Sequence, residues 1–304
     1  MDKLEFWMNF KLGEELHIAG RFIYNGLRSF HEMENLHHED EVFEVLYNLS
    51  VGLERLLKVA VVLVEHEGTV DQEKFEQSLI THSHLELLKR IMKSRSLALA
   101  GPHNALLEML GNFYKTHRYG RYGIAAMKSS GKETIAFHEY IEKQLNIEIA
   151  NEPIPRIKKF LGRTVGKIAS ELYETIRQEA GRRNIYTYEL RYDSKAAKIF
   201  LRKEYDFSKE DVLWRELLVF FVNSQEASGH LGFMKKLEPL TFDSGLDVDY
   251  LQCIGSDEKK LGILDELDHL YEGVDKPGER LDVIRALGDP SVVFDPIDKD
   301  DEDA

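Results

Sequence analysis

The stretch Tyr114-Lys115-Thr116-His117-Arg118-Tyr119-Gly120-Arg121-Tyr122, followed by Lys128, gathers the residue types in this chain that are best suited to chemistry on a phosphate-bearing ligand. Guanidinium and ammonium groups attract phosphates, and tyrosine rings stack on unpaired bases. Tyr114, Lys115, Arg118, Tyr119, Arg121, Tyr122 and Lys128 are therefore the candidate residues for binding RNA or a nucleotide. Within the same stretch His117 could act as a general base, and Arg118 or Arg121 could steady the charge on a phosphorane. These three are the candidate catalytic residues for RNA cleavage. The plain structural alternative is a helix end whose tyrosines pack and whose arginines satisfy carbonyls.

Other constellations carry less. His37-His38-Glu39-Asp40 and His82-Ser83-His84 hold enough donors for a metal ion, but neighbouring histidines diverge, and no cysteine or i, i+4 histidine pair joins them. No metal site is assigned, and no cofactor either. Ser129-Ser130-Gly131-Lys132-Glu133-Thr134 mimics a phosphate loop, yet Ala126 stands where the first glycine belongs and Glu133 where a magnesium-binding hydroxyl belongs. It reads as a helix start. Cys253, the single cysteine, has no histidine close in sequence to activate it and excludes an internal disulfide framework.

The net charge of −14 is concentrated at one end. Asp243 to Ala304 holds 19 acidic and 6 basic residues, a charge of −13, which leaves −1 for the first 242 residues. Leu85 to Lys132 carries 9 bases (Lys89, Arg90, Lys93, Arg95, Lys115, Arg118, Arg121, Lys128, Lys132) against Glu86 and Glu108, a local +7 that would draw phosphate. No apolar run reaches the roughly 18 residues of a membrane span. The acids of Met1-Asp2-Lys3-Leu4-Glu5 do not suit a secretory leader. A cytoplasmic protein without membrane contact is expected.

The elements that must position these residues are mostly helical. Leu46, Leu49, Leu53, Leu56, Ala60 and Leu63 share one face of a helix over Glu41–Glu65. A short segment over Gln72–Ile80 follows, then a helix capped by Ser83 with Leu85, Leu88, Ile91 and Met92 inside. Gly101-Pro102 ends that helix or the turn after it. Leu106, Leu107, Leu110, Phe113 and Tyr114 mark the next helix. One more starts near Ser130 and buries Ile135, Tyr140, Ile141 and Leu145. A bundle is the economical arrangement. Pro153 and Pro155 mark a linker, and the spacing of Ile157, Leu161, Val165, Ile168, Leu172 and Ile176 predicts a long helix beyond it.

Tyr186–Tyr192 alternates with period two and reads either as one strand of a hairpin with Ala197–Leu201, or as a turn leading to a helix that Ser194 opens. Asp211–Asn223 reads as a buried helix, with Trp214 and Phe221 in a core. Leu237–Ile254 is irregular, with room for a small hairpin, and Leu261–Tyr271 is a last helix. The expected architecture is mainly α, with a bundle over 1–150, a helical extension with the hairpin option over 151–242, an acidic segment over 243–294 and an unfolded acidic tail over 295–304.

The first 150 residues resemble the HEPN domain family. The resemblance rests on the apolar helix Leu46 to Leu63, on His82-Ser83-His84-Leu85-Glu86-Leu87-Leu88 opening the next helix, and on Tyr114 with Arg118-Tyr119 or Arg121-Tyr122 closing the one after. It implies an all-helical fold and a homodimer or a cognate protein partner. It also implies a role in RNA cleavage, nucleotide binding, toxin–antitoxin pairing or antiviral defence. Nuclease members of the family place a His about four to six residues after an Arg. That spacing is missing here, since seven residues separate Arg95 from His103 and two separate Arg28 from His31. The family's catalytic pair is therefore not carried over. Three functions remain: an RNA- or nucleotide-binding module, a divergent metal-independent ribonuclease using His117, and a non-enzymatic interaction protein whose acidic end either covers the chain's own basic stripe as a nucleic-acid mimic or engages a basic partner.

Overall fold

The computed structural model describes residues 3–66, 71–122, 131–149, 153–225, 229–255, 261–289 and 291–292. Every regular element among them is helical, as the mainly α expectation requires. The chain forms two compact units, one ending at Phe207 and one beginning at Ser208.

In the first unit a single turn, α1 (Lys3–Phe6), runs through a π-helical segment, Trp7–Lys11, into α2 (Leu12–Glu32). Antiparallel to it lies α3 (Glu39–Glu65), whose first turn carries Glu39, Asp40 and Glu41 against the positive end of the helix dipole. The apolar face read from Leu46 to Leu63 is fully buried, and Val42, Val45, Leu57, Val59, Val61 and Val62 are buried as well. A helix apolar on nearly every side must be covered on every side, so α3 is the axis of the bundle. It touches α2, α5 (His84–Met92), α6 (Gly101–Lys115), α7 (Lys132–Leu145) and α8 (Ile154–Arg182); the short α4 (Gln72–Ser78) leads from α3 toward α5.

Close approach of α2 and α3 depends on Gly52. A Cβ there would stand 2.8 Å from Ile23 Cγ1, 2.9 Å from the Ile23 amide nitrogen and 3.0 Å from the Ala19 carbonyl oxygen. Backbone cannot give way as a side-chain tip can.

Several expectations need correction. Pro153 and Pro155 do not mark a boundary between units: α8 begins at Ile154 with Pro155 in its first turn, and its predicted apolar row from Ile157 to Ile176 is buried within the first unit. Of the two readings of Tyr186–Leu201, the helical one holds. Ser194 Oγ accepts from the Ala197 amide at 3.1 Å and caps α9 (Lys195–Ala197), which passes into a π-helical turn, Lys198–Arg202. Gly101-Pro102 ends the turn after α5, not α5 itself, and in doing so opens α6. Met92 and Ile135 are exposed, and Phe137 fills the inward position of α7 instead.

The second unit comprises α10 (Ser208–Asn223), α11 (Gly229–Lys236), a 3-10 turn at Ser244–Leu246, α12 (Asp247–Gly255), α13 (Leu261–Glu272) and α14 (Pro277–Arg285). The expected burial of α10 is not met, for none of its residues is buried. Leu217-Leu218-Val219-Phe220-Phe221-Val222 runs consecutively around the helix, so no single face can hold it. Trp214 does pack on α12, where a Cβ on Gly255 would meet its ring at 2.3 Å. No hairpin is present among the described residues of 237–254. The tail 295–304 lies outside the described residues.

Candidate functional site

Helix α6 sets the site through the register of its last turn. Leu106, Leu107, Leu110 and Phe113 are completely buried, which places Tyr114 at the rim of the same face. Thr116 Oγ1 donates to the Asn112 carbonyl at 2.7 Å, where the helix ends, and a 3-10 turn, His117–Tyr122, folds the chain back. That reversal lays the Arg118 guanidinium over the Tyr114 ring at 3.7 Å from its centre, with the Tyr119 ring 4.6 Å away. No carboxylate among the described residues pairs with Arg118, and its buried Nε has no hydrogen-bond partner there. Stacking on aromatic rings leaves the guanidinium edge, which is what grips phosphate, free of protein acceptors.

Behind Tyr114 stands a second group. The His82 ring lies 4.9 Å from the Tyr114 ring, and its Nδ1 is 3.0 Å from Glu54 Oε2. Glu54, buried in the middle of α3, also accepts from Lys58 Nζ at 2.7 Å through Oε1. With the Glu54 carboxylate as acceptor, Nδ1 of His82 is the donor, which leaves Nε2 with the lone pair. His84 is different. Fully buried, it donates through Nε2 to the Ser50 carbonyl at 2.9 Å, and burial pushes its pKa down, so it stays neutral within the packing. The two histidines of His82-Ser83-His84 thus serve separate partners.

A cleft of about 260 Å³ opens beside Tyr114, between Trp7, Leu12, Val51, Val59, Val62 and Leu79. Glu54 and Lys58 line it too, as do Arg55 and Glu15, which form an ion pair with each other.

The sequence-predicted site residues are thus placed unevenly. Tyr114 and Arg118 stack directly, Lys115 is exposed, and Tyr119 and Tyr122 are 56% and 88% exposed. His117 is partly buried, and its Nδ1 has no hydrogen-bond partner among the described residues. The Arg121 side chain and the whole of Lys128 lie outside the described residues. Two bases of the expected stripe are already neutralised: Arg90 forks onto Glu65, and Arg95 pairs with the buried Glu179. Glu54 and Lys58 escaped the reading of the sequence, although an acid inside the buried row of α3 was a signal in itself. No family model, curated protein or solved structure matches the chain.

Proposed function

We propose that the first unit binds single-stranded RNA through Tyr114, Lys115, Arg118, Tyr119 and Tyr122, with Arg121 and Lys128 adjoining in sequence. The observation that carries this reading is the Arg118 guanidinium, stacked on Tyr114 and beside Tyr119 with no carboxylate among the described residues to neutralise it. Tyr122, almost wholly exposed, offers a ring for an unpaired base. Arg118→Glu should weaken binding of a single-stranded oligonucleotide and reduce the slope of log K against log salt by about 0.7 for the lost phosphate contact. Unchanged affinity and slope would remove the reading.

A second reading, metal-independent cleavage of the bound strand, is favoured by the Glu54–His82 hydrogen bond. A histidine oriented by a buried carboxylate, in ring contact with the tyrosine on which Arg118 stacks, is equipped to accept a proton from a 2′-hydroxyl. On this reading His82→Ala keeps RNA binding and loses cleavage. The same assay on His117→Ala tests the base expected from the sequence.

A further inference from the structure

The cleft beside Tyr114 adjoins the RNA contact just described and shares Tyr114 with it. At about 260 Å³ it falls below the roughly 300–1,000 Å³ of sites that enclose a whole drug-sized ligand, so it suits one ring system. Its walls are apolar, from Leu12, Val51, Val59, Val62 and Leu79. The charged side chains that line it already have partners: Arg55 pairs with Glu15, and Glu54 accepts from Lys58 and from His82 outside the cleft. Two polar groups on aromatic walls do not, because neither Trp7 Nε1–H nor the Tyr114 hydroxyl has a hydrogen-bond partner among the described residues.

That lining selects for chemistry. A fully ionised ligand would have to break an existing ion pair, whereas a flat ring can lie against the aromatic walls that Trp7 and Tyr114 supply. A flat, neutral ring with hydrogen-bonding edges meets both conditions. Tyr114 belongs to the cleft wall and also lies under Arg118. A ring in the cleft and a phosphate at Arg118 would therefore both border Tyr114.

We propose that the cleft between Trp7 and Tyr114 is a nucleobase subsite, taking the base of a free nucleotide or one unpaired base of an RNA strand. This rests on the assignment of Arg118 to phosphate. The full chain holds two tryptophans, so Trp214→Phe leaves Trp7 as the sole indole reporter. Adenosine, which has no phosphate, should alter Trp7 emission, and ribose 5-phosphate, which has no base, should not. Val51→Phe, which fills the cleft, should weaken adenosine about tenfold or more, equivalent to about 1.4 kcal/mol. Arg118→Glu should weaken adenosine monophosphate and leave adenosine alone.

The outcomes separate the two assignments. If adenosine leaves Trp7 emission unchanged at millimolar concentration while RNA binding still depends on Arg118, the subsite is overturned and the phosphate contact stands. If adenosine binds and Arg118→Glu affects neither the monophosphate nor RNA, the cleft takes a base and the phosphate assignment fails. The comparison of adenosine with ribose 5-phosphate uses an unfilled cleft, so it decides the question even where Val51→Phe does not fold. A short oligonucleotide competing with adenosine distinguishes RNA from free nucleotide as the source of the base.

Discussion

Nδ1 of His82 meets Oε2 of Glu54 at 3.0 Å, joining the turn before α5 to the middle of α3 across 28 residues of sequence. The buried carboxylate has two donors, His82 and Lys58, and both reach partly into solvent.

Removing that carboxylate should cost stability without collapsing the bundle. In Glu54→Ala the freed groups can turn to water, so the loss should be about 1.5–3 kcal/mol, the scale of a hydrogen bond to a charged group. A double-mutant cycle of Glu54→Ala with His82→Ala, read by urea unfolding, should give a coupling of about 1 kcal/mol. Strict additivity would show that the bond contributes nothing.

At the cationic corner, geometry should count as well as charge. Arg118→Lys keeps the positive charge and loses the flat stack, so RNA affinity should fall by about 1 kcal/mol with the salt slope retained. Tyr122→Ala should cost roughly 1–3 kcal/mol of RNA binding if a base stacks there. Because Tyr122 is 88% exposed, the same change should leave folding stability within about 0.5 kcal/mol. Filter binding and thermal unfolding on one preparation separate the two effects.

Gly52→Ala should be among the more damaging small substitutions. Its Cβ would press on the Ile23 amide and the Ala19 carbonyl, forcing α2 from α3 and costing about 1–3 kcal/mol. An unfolding midpoint equal to that of the parent chain would show that the helices can separate freely.

Acid should weaken the first unit. Burial holds the pKa of His84 below its ordinary value, and burial acts in the same direction on His17 and His103. Above the unfolded value of about 6.5 this contributes no penalty; below it, the unfolded chain binds protons that the fold refuses. Unfolding free energy should therefore fall as pH drops below about 6.5, by at most about 1.4 kcal/mol per pH unit from His84, with His17 and His103 adding less because solvent screens them. His84→Gln should show a shallower decline, and an unchanged slope would exclude His84 as a source.

The helices α3 and α8 were legible in the sequence because each carries an uninterrupted apolar row at helical spacing, and the mainly α class followed from them. Helix α2 was not legible. Gly13, Gly20 and Gly26 interrupt its pattern, and glycine lowers helix propensity. Two of them are tolerated for a tertiary reason: a Cβ on Gly20 would meet Ala196 at 2.5 Å, and one on Gly26 would meet Leu49 at 2.9 Å. The alternation of Tyr186–Tyr192 suggested a strand, but Ser194 found a cap and Thr187 Oγ1 bonded to the Met8 carbonyl at 2.7 Å.

Composition alone marked Tyr114, Arg118, Tyr119 and Tyr122 as a group, since they are neighbours in the chain and their types suit phosphate and base. Folding decided the rest: that Arg118 turns back onto Tyr114, that Arg90 and Arg95 are spent on Glu65 and Glu179, and that Glu54 and His82 meet behind the tyrosine. The reason is distance along the chain. Local spacing fixes which face of a helix a side chain occupies, whereas partners 25, 28 and 84 residues apart are chosen only when α3, α5 and α8 close on one another and burial makes an unpaired charge costly.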